Sequence, residues 1–286
     1  MKGGQSSTSE QVWFITGASR GMGVEFAQAA LRAGHSVVAT GRNAAATAKA
    51  VGDQDRLLVV ALDVTDQDSA DDAVQSSIDR FGRIDVLVNN AGSSFKGYFE
   101  EMSPAQVEAQ LATNLLGPMN VTRAVLPQMR ARRSGHVISI SSGAALIGFE
   151  YSSVYAASKA GLEGWMTALR QEIAPFGIRA TIVNPGWFRT GLAGPESLVW
   201  PEVVIDDYAE RSAAQQRWWQ AQDGHQIGDP RKLADAVVTL AATDPPPDRF
   251  FAGRDVFDIA ERKIAELRAA IDAFPELSTS LTVDEL

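Results

Sequence analysis

A tyrosine and a lysine four positions apart, in Tyr155-Ala-Ala-Ser-Lys159, are the first candidates for chemistry in this chain. On a helix, positions i and i+4 share a face one turn apart, so this spacing sets an ammonium beside a phenol. An unperturbed phenol titrates near ~10, and a neighbouring cation favours its ionised form and brings it into a useful range. Most such pairs are surface decoration, so the surroundings decide. Ser142 closes an apolar run upstream, the kind of strand end where ligand crevices open. Asn114 falls inside a helical stretch beginning near Pro104, where a polar amide is out of place.

A second constellation lies near the start: Thr16-Gly17-Ala18-Ser19-Arg20-Gly21-Met22-Gly23. Glycines let the chain turn tightly and approach a ligand, and the helix that follows offers unpaired N–H groups and a positive dipole end. That combination suits a pyrophosphate, although the spacing differs from G-x-G-x-x-G.

The elements that must position these residues follow a βαβ rhythm. Short apolar runs at Val12–Thr16, Ser36–Thr40, Leu57–Leu62, Val86–Asn89, His136–Ser141 and Arg179–Asn184 read as strands. Helical spacing at Gly23–Ala33, Ser69–Phe81, Pro104–Arg130 and Ser153–Ala174 alternates with them. Continuous rather than alternating apolar runs suit a sheet covered on both faces. The expected fold class is therefore α/β, a doubly wound parallel sheet of Rossmann type in one domain.

Residues 1–10 read as a disordered tail, and 11–243 as the catalytic domain. Within it, residues 187–229 lack clear periodicity, and 190–228 are expected to form a substrate lid. A helix from Asp229 to Ala242 follows. Residues 244–286 read as a proline-rich connector and a C-terminal helix packed on the domain or on a second subunit. Its apolar positions Phe257, Ala260, Ile264, Leu267, Ile271 and Phe274 alternate spacings of three and four.

Composition narrows the function classes. The 286 residues carry 26 basic and 35 acidic side chains, a net charge of −9, which disfavours nucleic acid and anionic membranes as partners. With no cysteine there is no disulfide and no thiolate chemistry, and three scattered histidines make a metal site improbable. No apolar h-region opens the chain and no apolar run reaches the ~18 residues of a span, so a soluble, cytoplasmic protein is expected.

Taken in order, these motifs resemble the short-chain dehydrogenase/reductase family over nearly the whole chain. The matches are the glycine segment at 16–23, Asp63-Val64, Asn89-Asn90-Ala91-Gly92, Asn114, Ile140-Ser141-Ser142, Tyr155 with Lys159, and Asn184-Pro185-Gly186 with Thr190. The resemblance implies a nicotinamide cofactor and reversible hydride transfer between carbonyl and alcohol. It makes Tyr155 the general acid and gives Ser142 the substrate oxygen. Lys159 would hold the nicotinamide ribose and, with oxidised nicotinamide, lower the phenol's pKa. Asn114 would bind a water that completes a proton relay. Gly17, Ser19, Gly21, Met22 and Gly23 would cradle the pyrophosphate. Asp63 and Val64 would contact adenine, and Asn90, Ala91 and Gly92 the adenosine border. Pro185 and Gly186 would line the nicotinamide end, with Thr190 on its carboxamide.

NAD-preferring relatives place an aspartate at the end of the second strand, where this chain has Gly41 followed by Arg42. Arg42 and Arg20 can pair a 2′-phosphate, so the expected cofactor is NADPH/NADP rather than NAD. The leading function is carbonyl reduction. An NAD-dependent secondary-alcohol dehydrogenase and a non-catalytic dinucleotide-binding regulator are the alternatives. Leu146, Phe149, Tyr151, Trp187 and Trp200 suggest a roomy apolar cleft for the small-molecule substrate. The family's habit of pairing the helices at 104–130 and 153–174 implies a homodimer or homotetramer. On the second of these, Val154, Ala157, Leu162, Trp165, Leu169 and Ile173 make a broad apolar face.

Overall fold

The computed structural model describes residues 10–191 and 198–283. Most of the expected tail lies outside the described residues, but Glu10 accepts from Ser36 Oγ at 2.7 Å and is tied to the body.

Seven parallel strands form the main sheet in the order β3-β2-β1-β4-β6-β7-β9. They are β1 (Val12–Ile15), β2 (Ser36–Gly41), β3 (Leu57–Ala61), β4 (Val86–Asn89), β6 (Gly135–Ile140), β7 (Ile178–Pro185) and β9 (Arg249–Ala252). A small parallel pair joins β5 (Ser94–Phe95) to β8 (Leu198–Val199). The strand order reverses direction between β1 and β4, which opens a crevice at their carboxyl ends.

Helices cover both faces. On one side α3 (Gln67–Phe81), α5 (Gly117–Arg132) and α6 (Ser153–Ile173) bury Val74, Val125, Met129, Leu162 and Leu169 against Phe14, Val38 and Leu87. On the other, α1 (Met22–Arg32), α2 (Ala44–Val51) and α8 (Pro230–Ala241) bury Phe26, Val51 and Leu233 against Trp13, Ile15 and Val88. Both faces of the central strands are dry, which is why they read as unbroken apolar runs.

Four expectations change. The stretch Pro104–Arg130 is not one helix. A π-type segment, Ala112–Leu116, separates α4 (Pro104–Leu111) from α5. Pro118 has no N–H, so the carbonyl of Asn114 loses the donor an α-helix would give it, and the ladder slips there. Second, the region after Asn184 is not structureless, because α7 (Ala209–Ala221) lies inside the expected lid. Residues 192–197 of that lid lie outside the described residues. Third, the stretch after the prolines is more than a connector, since β9 is the seventh strand, paired with β7.

Fourth, the apolar face of α6 assigned to subunit contact is mostly this chain's own core. Val154, Leu162, Leu169 and Ile173 are all buried. The C-terminal α9 (Arg254–Ala273) and the short α10 (Pro275–Thr279) close the chain. Only the first turns of α9 pack on the domain, through Val256 and Ala260.

Candidate active site

At the carboxyl ends of the strands lies a cavity of about 1150 Å³, large enough for a dinucleotide and a substrate together. Its floor begins at the turn between β1 and α1. Gly17 and Gly21 hold φ of 69° and 58°, the left-handed region that side chains avoid. A Cβ on Gly23 would stand 2.2 Å from the Gly17 carbonyl oxygen, so this glycine is needed for close packing and lies behind the cavity wall. Asn90 fixes the turn by donating from Nδ2 to the carbonyls of Thr16 (2.8 Å) and Gly17 (3.2 Å). Thr16 Oγ1 in turn accepts from the backbone N–H of Asn90 and Ala91, both at 2.9 Å.

Gly17, Ser19, Arg20, Gly21 and Met22 line one end together with Gly41, Arg42, Asp63 and Val64. Asn90, Ala91 and Gly92 line the middle. Ser142, Tyr155, Lys159, Pro185 and Gly186 line the same cavity, as does Thr190, whose Cβ lies 3.5 Å from where a Cβ on Gly21 would stand. Asp63 accepts from Thr65 Oγ1 and N at 2.7 and 2.9 Å, and these bonds pull its carboxyl below its usual range. The N-terminal cap of α3 is Asp66 instead. Bare Gly41 also has a packing reason, because a Cβ there would lie 2.7 Å from Thr47 Oγ1.

Asn114 is fully buried and does not line the cavity. Its Oδ1 accepts from Ser93 N (2.9 Å), and its Nδ2 donates to Ser93 O (3.0 Å) and Ser158 Oγ (3.1 Å). The side chain is thus a brace between the π-type segment, α6 and the loop after β4.

At the reactive end, Lys159 Nζ lies 6.0 Å from the centre of the Tyr155 ring and donates to the Ile140 carbonyl at 2.9 Å. Burial pushes the Tyr155 phenol up, with a hydrogen bond to Ser142 pulling the other way. In the free protein burial therefore dominates at the phenol, and the expected lowering is one that Lys159 would exert together with oxidised nicotinamide. Burial also brings the Lys159 amine down to about 8, opposed by the charge of Glu163.

The substrate wall differs from expectation. Phe149 and Trp187 line the cavity, whereas Leu146, Tyr151 and Trp200 do not. Trp187 stacks on Trp219 of α7 at 5.3 Å, and Trp218 meets both edge-on. Sequence reasoning also missed Lys96, Glu163 and Asp255. Asp255 Oδ2 accepts from Trp187 N at 2.6 Å, docking the start of α9 on the turn after β7. Ile259 on the next turn reaches the cavity. Lys96 sat four residues after Gly92, inside a loop with no periodicity to assign it a direction.

Among the described residues no helix is long and apolar enough to cross a membrane. No cluster of three or more His, Asp or Glu side chains among them could hold a metal ion.

Comparison with known proteins agrees with this geometry. Residues 11–198 match the short chain dehydrogenase family. The chain is 37% identical over 270 residues to the oxidoreductase BOA17 of Botryotinia fuckeliana, covering 94% of this chain and 98% of that protein. It is 37% identical over 243 residues to a 3-ketodihydrosphingosine reductase of Bacteroides thetaiotaomicron, covering 85% and 88%. The crystal structure of a short-chain dehydrogenase from Streptomyces avermitilis superposes with a TM-score of 0.86 at 37% identity, covering 95% of this chain and all of that one. Its doubly wound parallel sheet and its matched residues make this chain a member of the short-chain dehydrogenase/reductase family, an oxidoreductase.

Proposed function

We propose that the protein is a cytoplasmic, NADPH-dependent carbonyl reductase that uses Tyr155 as its general acid. The observation that carries this reading is that Tyr155, Lys159 and Ser142 line one cavity together with the glycine turn. The residues present fit a dinucleotide. Positive-φ glycines leave the turn bare, and the first turn of α1 offers N–H groups to a pyrophosphate. When bound, reduced nicotinamide supplies a hydride to the carbonyl carbon.

The chain's own residues do the rest. The raised phenol of Tyr155 is protonated at neutral pH and delivers its proton to the developing alkoxide oxygen. Ser142 donates to that same oxygen, and its link to the phenol keeps the two groups in register. Lys159 would hold the nicotinamide ribose and restore the phenol's proton through a water, which Asn114 would hold by its main-chain carbonyl because its side chain is committed to Ser93 and Ser158. Trp187, Trp218 and Trp219 exclude water and take the apolar part of the substrate.

Mixing purified protein with NADPH and a panel of ketones and aldehydes, and following cofactor absorbance, tests the reading. Oxidation of NADPH with formation of the alcohol is expected. Tight dinucleotide binding without turnover on any carbonyl would favour the regulator.

The homodimer or homotetramer stays part of the proposal, on a different surface from the α6 face. Phe257, Ile264, Leu267 and Ile271 of α9, and Phe274 just after it, are each more than half exposed. From Ile264 on they keep the three-four spacing of a two-helix seam, flanked by Glu261 and Arg268 of opposite charge, which suits a second copy of the same helix. Light scattering should give at least twice the mass of one chain, and the double variant Leu267→Asp, Ile271→Asp should lower it. A single-chain mass at micromolar protein would refute this.

A further inference from the structure

The wall of the cavity holds a cation that the chemistry above does not use. Lys96 is 3% exposed, and its Nζ lies 3.9 Å from the centre of the Trp219 ring and 4.8 Å from that of Tyr155. Among the described residues the ammonium donates one hydrogen bond, to Ser152 Oγ at 2.8 Å. Among the described residues no carboxylate lies within 4 Å of it, and its titration is shifted by burial alone. An ammonium has three donors, so two remain for whatever enters the cavity.

A buried charge without a counter-ion is costly, and proteins keep such groups where a ligand completes them. The other buried lysine of this cavity, Lys159, has the Ile140 carbonyl and the charge of Glu163 to answer it, and among the described residues Lys96 has no such carboxylate. The two aromatic faces stabilise the ammonium without satisfying its N–H groups. Those faces belong to the proposed acid and to the tryptophan wall, so whatever Lys96 binds sits beside the reacting carbonyl.

We infer that Lys96 is a substrate-recognition residue that pairs with an anionic oxygen, and that the preferred substrates are aryl-bearing keto acids with a carboxylate close to the carbonyl. This rests on the carbonyl-reductase reading and deepens it: the cleft is not simply apolar but carries, besides Lys159, a second buried ammonium among its aromatics. Burial brings the Lys96 amine down to about 7, and a bound carboxylate would push it back up. Substrate binding at neutral pH should then take up a proton from solution.

The experiment compares benzoylformate with its methyl ester, which keeps the skeleton and removes the charge. With NADPH, near pH 6, where Lys96 is protonated, the acid should have the higher kcat/KM. In Lys96→Met the acid-to-ester ratio should fall by about 30-fold or more, the floor for losing one partner of a buried charge pair. Using the ratio cancels any general effect of the variant on Tyr155 or on folding yield. An equal ratio in parent and variant overturns the inference.

A second measurement needs no variant. Quenching of tryptophan fluorescence in the parent's complex with NADP should report benzoylformate binding about tenfold or more tighter than benzoylformamide, its neutral analogue. Equal affinities would again overturn it. If neither ketone is reduced but the carboxylate still binds preferentially, the anion site stands and the reductase reading fails. If both are reduced without preference for charge, only the anion site fails.

Discussion

Arg249 Nη1 lies 2.6 Å from Glu163 Oε2, which ties the last strand of the sheet to the helix that carries Tyr155 and Lys159. The same guanidinium nitrogen donates to Asn184 Oδ1 at 3.0 Å. Ser141 Oγ and Asn184 Nδ2 donate to the other carboxylate oxygen, at 2.6 and 2.5 Å. Glu163 stands one helical turn beyond Lys159, and its charge holds that amine's pKa up against burial. The network joins β6, β7, β9 and α6 directly behind the site.

Replacing Arg249 with Met should leave Glu163 buried without its cation. Breaking a buried pair in this way costs about 3–5 kcal/mol, and the partial exposure of Arg249 points to the lower end. Urea unfolding of the parent and Arg249→Met would measure the loss. Midpoints that coincide would mean the pair contributes nothing to stability.

This network shows what was legible in the sequence and what was not. The strand runs, the glycine turn and the Tyr155–Lys159 spacing are local patterns, and local patterns survive in a linear string. Glu163 and Arg249 are far apart in the chain, and their partnership depends on β9. That strand is four residues hidden behind three prolines. Helix α2 was missed because its alanine-rich sequence has no apolar stripe, although Asn43 caps it by accepting from Ala46 N. Helix α7 was missed for a related reason, since it is largely polar and turns two tryptophans toward Trp187 instead of a stripe toward the sheet. Lys96 is legible only in three dimensions, because solitary lysines in loops are ordinarily solvated.

Tyr155→Phe removes one hydroxyl from a side chain that is otherwise packed, so the fold should survive. Turnover should fall by about 10²–10⁴, the usual worth of a positioned acid. Cofactor affinity, measured by fluorescence of bound NADPH, should change little. Activity within threefold of the parent would remove Tyr155 from its role.

His136 gives the fold an acid-sensitive point away from the site. It is buried on β6 with Nε2 2.8 Å from Thr181 Oγ1, and burial with nearby Arg179 lowers its pKa to about 4. Between about 6.5 and about 4 the unfolded chain takes up a proton there that the folded chain refuses, so stability falls as pH falls through that window. Below about 4 this contribution is flat. Unfolding midpoints followed from pH 7 to 4 should decline less steeply in His136→Gln, and parallel curves would contradict the assignment.

Helix α7 with its tryptophans would be the movable part of the lid expected over 190–228. It makes polar contacts such as Gln216 Nε2 to the Tyr151 hydroxyl at 3.2 Å, and most of its surface is exposed. Amides of 209–221 should exchange faster than those of α6 in the free protein. They should slow when NADP and a ketone bind together. Slow exchange throughout the free protein would leave α7 as a fixed wall.

In the proposed reading cofactor choice turns on Arg20 and Arg42, both exposed and both lining the cavity with Gly41. Arg42 is near enough to Asp63 for its charge to lower that carboxyl, so the rim holds one acid among two cations. A 2′-phosphate there would draw charge-assisted bonds worth about 1.5–3 kcal/mol each, or roughly 10- to 150-fold in affinity per arginine. Installing an aspartate at Gly41 is a poor test, because its Cβ alone would crowd Thr47 Oγ1, which donates to Asn43 O at 3.0 Å. Arg42→Ala and Arg20→Ala leave that packing untouched. Each should raise the KM for NADPH by about tenfold or more while leaving the KM for NADH nearly constant. Both variants together should bring the two cofactors close to parity. A parent enzyme that already uses NADH as efficiently as NADPH would end the assignment of these arginines to phosphate.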